Sequence, residues 1–223
     1  FLVFFIMDLA PGDAVDILAP EGATAEDLEA IRHDLGLDQP VIVRYVKYMG
    51  GMLHGDMGVS YVSKTDVFDT YMEKLPATIK LSFASILVSI LLSVPLGIYS
   101  ATRQGTVQDN ISMIVAMIGV SMPNFWLGLL LIIVFSLNLG WFPSGGDQTL
   151  SSIVLPAITI GTGLMATLTR TTRSSMLDVL KQEYLRTARA KGIPEKIVIT
   201  SHALRNALIP IITIIGTQLA GVL

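Results

Sequence analysis

The sequence predicts an all-α fold, a polytopic membrane helix bundle with a short helical insertion outside the membrane. Three observations carry that prediction. Of 223 residues, 52% are hydrophobic and 15% charged, against about a quarter charged in a soluble domain. The charges leave long gaps, with 22 residues between Lys80 and Arg103, 37 between Asp109 and Asp147, 22 between Asp147 and Arg170, and 18 after Arg205. A bilayer span takes roughly 20 apolar residues, so each gap reads as a membrane helix. Finally, the net charge of −3 conceals two opposed segments, −8 from Asp8 to Lys74 and +5 from Arg170 to Arg205. The positive-inside rule places the second on the cytoplasmic side. Together these exclude an ordinary cytosolic enzyme and a disordered chain, and the absence of cysteine excludes a disulfide framework and any thiolate site.

The elements follow in order. Residues 1–7, Phe-Leu-Val-Phe-Phe-Ile-Met, lack the basic n-region of a signal peptide and read as the outer end of a first transmembrane helix. The chain stops inside another apolar run, so a piece of a longer membrane protein is expected. Residues 8–75 read as an extracytoplasmic insertion. Ala10-Pro11-Gly12-Asp13 breaks the first helix, and Thr24 with Asp27 forms a capping-box pattern that opens a helix near Ala25, ending near Gly36. Asp38-Gln39-Pro40 starts another, whose Val41, Ile42, Tyr45, Val46, Met49, Met52 and Leu53 recur at helical spacing, although Gly50-Gly51 weakens it. Residues 76–223 hold the spans, about 76–102, 111–137, 153–170 and 204–223, with Pro95 and Gly97 as kink or packing positions in the first of these. Trp141 of the loop at 138–151 suits the interface belt. Residues 171–203 form the cytoplasmic loop, where a helix from Leu177 to Lys191 is interrupted by Gly192-Ile193-Pro194. Gly favours the position just past a helix and Pro the first turn of the next. The outcome is a helix-turn-helix elbow.

That elbow reads Glu183-Tyr184-Leu185-Arg186-Thr187-Ala188-Arg189-Ala190-Lys191-Gly192-Ile193-Pro194, followed by His202-Ala203-Leu204-Arg205-Asn206-Ala207-Leu208-Ile209-Pro210. On charge alone it could be a loop that merely fixes topology. The ordered Ala, Arg and Gly spacing instead resembles the loop that docks the membrane subunit of an ATP-binding-cassette importer onto its ATPase, in the version of the dipeptide/oligopeptide/nickel permease family. Arg186-Thr187-Ala188 stands where the broader importer pattern has Glu-Ala-Ala, and Leu204-Arg205 where it has Leu-Pro, departures characteristic of that branch. Further blocks are similar to the branch in order: Leu9 to Asp13, Leu35 to Pro40, Gly55 to Ser60, Leu75 to Thr78, Pro123 to Gly128 and Leu139 to Pro143.

The resemblance implies a type I importer permease in the inner membrane, passing di- or oligopeptides or a similar small solute, with a C-terminal span beyond this chain. It implies a second permease subunit, identical or related, two cytoplasmic ATPase subunits and an extracytoplasmic solute-binding protein, and no nucleic acid. ATP and Mg would sit on the ATPases, so this chain would bind no cofactor and catalyse nothing. The coupling contact would be Glu183, Tyr184, Arg186, Thr187, Ala188, Arg189, Ala190, Lys191, Gly192 and Pro194. Small residues such as Ala188 and Gly192 would let the helix sit close in the partner's groove.

Other readings are weaker. Gly58 to Thr65 falls one residue short of a phosphate-binding loop, since Ser63 stands where the second Gly belongs, and no apolar strand precedes it. Gly161-Thr162-Gly163 suits helix packing. His33, His54 and His202 lack metal-ligand spacing. An ion-coupled secondary transporter, the leading alternative, would put ionisable groups inside spans, where the sequence has essentially none. A membrane-embedded hydrolase would need a nucleophile and base at that depth. Ser121, Met122, Pro123 and Asn124 read in two ways, as part of the translocation path, because Pro frees a carbonyl that must face protein or water, or as a kink in a packed helix.

Overall fold

A computed structural model describes residues 1–9, 12, 15, 18–20, 22–60, 62–146 and 149–223; Ala10, Pro11 and Asp13 of the expected helix break, Tyr61 and Asp147 lie outside these. The chain divides into two compact units, Phe1–Leu75 and Pro76–Leu223.

In the first unit, α1 (Leu2–Asp8) packs on α3 (Val41–Leu53) through aromatic rings. Tyr45 meets Phe1 and Phe4 edge-on at 5.3 and 5.6 Å, Tyr48 lies 5.9 Å from Phe4, and Arg44 pairs with Asp8. Between them α2 (Ala25–Asp34) opens on a complete capping box, with the Thr24 amide donating to Asp27 Oδ2 at 2.9 Å and the Asp27 amide donating to Thr24 Oγ1 at 3.3 Å. The short Asp reaches because the Thr24 hydroxyl also donates to it at 2.7 Å, and these bonds hold the Asp27 carboxyl below its usual range. The Gly50-Gly51 pair does not end α3, which continues to Leu53.

The second unit is built on α4 (Val67–Thr102), which begins in the first. Asp66 receives the Asp69 amide at 3.1 Å, starting this helix nine residues before Pro76. It runs through Pro76 and Pro95, each of which removes one ladder bond. Within α4, Ser82, Ser85, Ser89, Ser93, Gly97 and Ser100 recur every three or four residues and all are buried. This face of small residues receives α7 (Val154–Leu180) at close range, as membrane helices pack when backbones can approach. A Cβ on Gly161 would stand 2.7 Å from the Ser85 carbonyl oxygen and 2.9 Å from Val88 Cβ. Gly161→Leu is therefore expected to force α7 off α4 and cost about 1–3 kcal/mol, read as a lower thermal midpoint in detergent; an unchanged midpoint would rule out this packing.

Two expectations need correction. The stretch expected as one span at 111–137 is not one straight helix: it consists of α5 (Val107–Ser121) and α6 (Asn124–Leu131), the latter continuing as a π-helix through Asn138, with a bend of 96° between the halves. Pro123 is the cause, since it donates no amide and pushes the preceding residue out of the helical region; Met122 has ψ 128°. Nor is the helix from Leu177 to Lys191 continuous. The helix of the span expected at 153–170 continues as α7 to Leu180, Gln182 is extended, and α8 (Glu183–Ala190) follows. That break turns Leu185 fully into the core. Burying a Leu is worth about 1.5–3 kcal/mol, more than the net of about 0.5–1.5 kcal/mol for a helical hydrogen bond forgone.

The chain then forms one helical stretch, α9 (Glu195–Val222), whose residues Val198–Ala203 are π-helical. Among the described residues, α4, Leu150–Leu180 and α9 are long and apolar enough to cross a membrane, and the bent pair would make a fourth crossing if it is one span. A buried apolar cluster lies beside the elbow, where Leu168 and Met176 of α7 and Leu185 of α8 meet Val198, Ala203 and Ile211 of α9.

Candidate functional site

The elbow is α8, a turn, and the start of α9. Its turn is a Schellman motif, with the Gly192 amide donating to the Arg189 carbonyl at 2.9 Å and the Ile193 amide to the Ala188 carbonyl at 3.3 Å. The motif needs a left-handed residue just past the helix, and Gly192 supplies it at φ +75°. Ile193 packs against the buried cluster. Pro194, extended at ψ 137°, then opens α9.

Side chains fix the two arms to each other. The Arg189 guanidinium grips the Glu195 carboxylate, Nη2 to Oε1 at 2.9 Å and Nε to Oε2 at 3.0 Å. Those hydrogen bonds hold the Glu195 carboxyl below its usual range, so the pair persists at neutral pH and is lost as the pH falls through that lowered value. The Tyr184 hydroxyl accepts from Asn206 Nδ2 at 2.7 Å and donates to the His202 carbonyl at 3.3 Å, tying α8 to α9. Glu183 and Arg186 pair at 3.0 Å on the open face, and the Thr187 hydroxyl donates to the Glu183 carbonyl at 3.3 Å. Ala190 and Lys191 are exposed. Ala188 departs from expectation. It is 7% exposed and faces the chain's own core, so its small size lets α8 approach α7 and α9, not an outside groove. Glu183, Arg186, Thr187, Ala190 and Lys191 lie on the exposed surface of the elbow.

Beneath the elbow lies an ion pair that the pattern reading did not find. Asp109, in the first turn of α5, accepts from Arg173 of α7 in fork geometry, Nε to Oδ1 at 2.8 Å and Nη2 to Oδ2 at 2.7 Å. The Ser100 hydroxyl of α4 also donates to Asp109, as does the Gly105 amide at 3.0 Å. Four segments thus converge on one carboxylate whose side chain is 4% exposed. A lone Asp bounding a 37-residue uncharged run was the available signal, since a buried charge demands a partner.

The 121–124 group sits at the α5/α6 bend. Ser121 Oγ donates back to the Met117 carbonyl at 2.9 Å. Asn124 Oδ1 lies 3.1 Å from where a Cβ on Gly163 would be, and a Cβ on Gly119 would come within 2.5 Å of the Thr162 carbonyl. The bend is therefore packed closely on α7.

Residues 93–223 match the family described as "Binding-protein-dependent transport system inner membrane component", and residues 1–82 match the N-terminal component of the same kind of transport system. The chain belongs to this family. The permease is 44% identical over 229 residues to "Oligopeptide transport system permease protein AppB" of Bacillus subtilis (strain 168), covering 98% of this chain and 72% of that one. It is 39% identical over 217 residues to "Glutathione transport system permease protein GsiC" of Escherichia coli (strain K12), covering 97% and 71%. It is thus an inner-membrane permease subunit of an ATP-binding-cassette importer, in a family that works with ATPase and solute-binding-protein partners, and hydrolysis belongs to the separate ATPase. The ion-coupled alternative is not supported.

Proposed function

We propose that the permease carries di- or oligopeptides or a similar small solute and that residues 171–203 couple it to two ATPase subunits, which hold ATP and Mg, while this chain binds no cofactor. It pairs with a second permease subunit, identical or related. Residues 1–7 end a first span, residues 8–75 form the extracytoplasmic insertion, and the 121–124 bend borders the translocation path. The relatives, permeases of oligopeptide and glutathione transport systems, support the solute class. The observation carrying the coupling reading is that the elbow's inner face is welded to the bundle core while its outer face leaves Arg186 and Lys191 exposed. Alternating access needs a two-state element that a partner can bias, and a rigid elbow on the core would pass ATPase movement to α7 and α9.

Reversing the charges of Arg186 and Lys191 to Glu tests this. Both are exposed, so the variant is expected to insert normally, lose ATPase co-purification and take up solute at less than about a tenth of the normal rate, the effect of roughly 1.4 kcal/mol or more of lost docking energy. Normal uptake with normal co-purification would overturn the coupling assignment.

A further inference from the structure

Helix α3 carries two apolar faces, of which α1 covers one. Tyr45 and Tyr48 are spent on Phe1 and Phe4. About 100° round the helix, Ile42, Val46, Met49 and Leu53 form a second stripe at the spacing of one face, with Ile42 64%, Val46 62% and Leu53 83% exposed. Arg44 and Lys47 lie roughly 170° and roughly 130° from the stripe's centre. Lys47 donates to Gln39 Oε1 at 2.8 Å and Arg44 pairs with Asp8, so the polar side has partners while the apolar stripe is exposed.

We propose that α3 lies in the plane of the membrane on the outer leaflet, with Ile42, Val46, Met49 and Leu53 immersed among lipid chains. The proposal rests on the reading that α1 ends a span and that residues 8–75 lie outside. Depth supports it. The apolar run of α1 closes at Met7, and Asp8 is the first charge after it. Arg44, in the first turn of α3, pairs with that same Asp8, so α3 is anchored at the level where α1 meets the headgroups. Its 13 residues make a rod of about 20 Å, too short to cross the roughly 30 Å hydrocarbon core. A short amphipathic helix with a cationic far side is instead suited to lie about 5–10 Å deep at the headgroup boundary, and Tyr45 and Tyr48 are the residue type that favours that depth. The lipid-facing surface of α1, where Leu2, Val3 and Ile6 are exposed, provides an apolar neighbour of the same kind in the same unit.

The absence of native cysteine gives a clean test. Single cysteines at Ile42, Val46, Met49 and Lys47 in the full-length permease, assembled with its ATPase in lipid vesicles, carry a nitroxide whose collisions with dissolved oxygen and with a water-soluble nickel chelate are measured. Oxygen collisions are expected to exceed chelate collisions at Ile42, Val46 and Met49, with the order reversed at Lys47. Chelate excess at all four positions would show a water-exposed helix and overturn the proposal, as would protection of the stripe from both reagents, the result for a protein-covered face. Labelling of the Lys47 cysteine in cells by an impermeant maleimide separates the two levels of the argument. Reaction from outside upholds the outer placement whatever the nitroxide reports, and reaction only after permeabilisation overturns that placement and the proposal with it.

Discussion

Arg173→Ala is expected to lower the stability of the permease by about 3–5 kcal/mol, the cost of leaving one member of a buried ion pair behind. The Asp109 carboxylate would keep only the Ser100 hydroxyl and the Gly105 amide, with its side chain 4% exposed. Arg173→Lys preserves the charge and not the fork, so it is expected to recover part of the loss. Asp109→Asn with Arg173→Gln removes both charges and is expected to be milder than Arg173→Ala, because no uncompensated charge remains. Thermal midpoints of the three variants purified in detergent order these outcomes. Equal midpoints for Arg173→Ala and the wild type would show that the pair contributes nothing.

The second large effect is at Gly192. Gly192→Val places a β-branched residue at φ +75°, where an L-residue is penalised by roughly 1–2 kcal/mol, enough to depopulate the native turn by about 5- to 30-fold. Beyond the chain neighbours nothing lies within 4 Å of the new Cβ, so the penalty comes from the local backbone conformation rather than from packing and falls on the elbow alone. The variant is expected to insert and to retain its midpoint within a few degrees while solute uptake and ATPase co-purification fall together. Gly192→Asn is the control, because Asn visits the left-handed region readily, and it is expected to keep most of the uptake. Equal loss in both variants would locate the requirement in the absence of a side chain rather than in the turn.

Local chemistry with short range was legible in the sequence. The Thr24 and Asp27 cap, the turn at Gly192 and the opening of α9 at Pro194 each depend on neighbours within a few positions. Facts set by distant contacts were not. Arg173, beyond the expected end at Arg170, is held by Asp109, 64 residues away. The break at Gln182 depends on a core that waits for Leu185. The buried serine face of α4 shows no hydropathy signal, since Ser is mildly polar and its hydroxyl can return to its own helix, as Ser82 and Ser85 do. The 96° bend was visible as a proline, but a proline in a membrane helix fixes neither the angle nor the side on which the helix packs.

Pinned at Arg173, α7 has two unequal arms. From Arg173 to Leu180 is about 10 Å of helix, and from Arg173 back to Val154 about 28 Å, at 1.5 Å per residue. The long arm is held as well, at Gly161 by Ser85 and Val88 of α4 and at Gly163 by Asn124 of α6, so α7 is fixed along its length and not at one point. The ion pair, met first as a matter of stability, is therefore the fixed point of α7 on the short arm that leads to the elbow, and a shift at the elbow meets it before the packed contacts further along the helix.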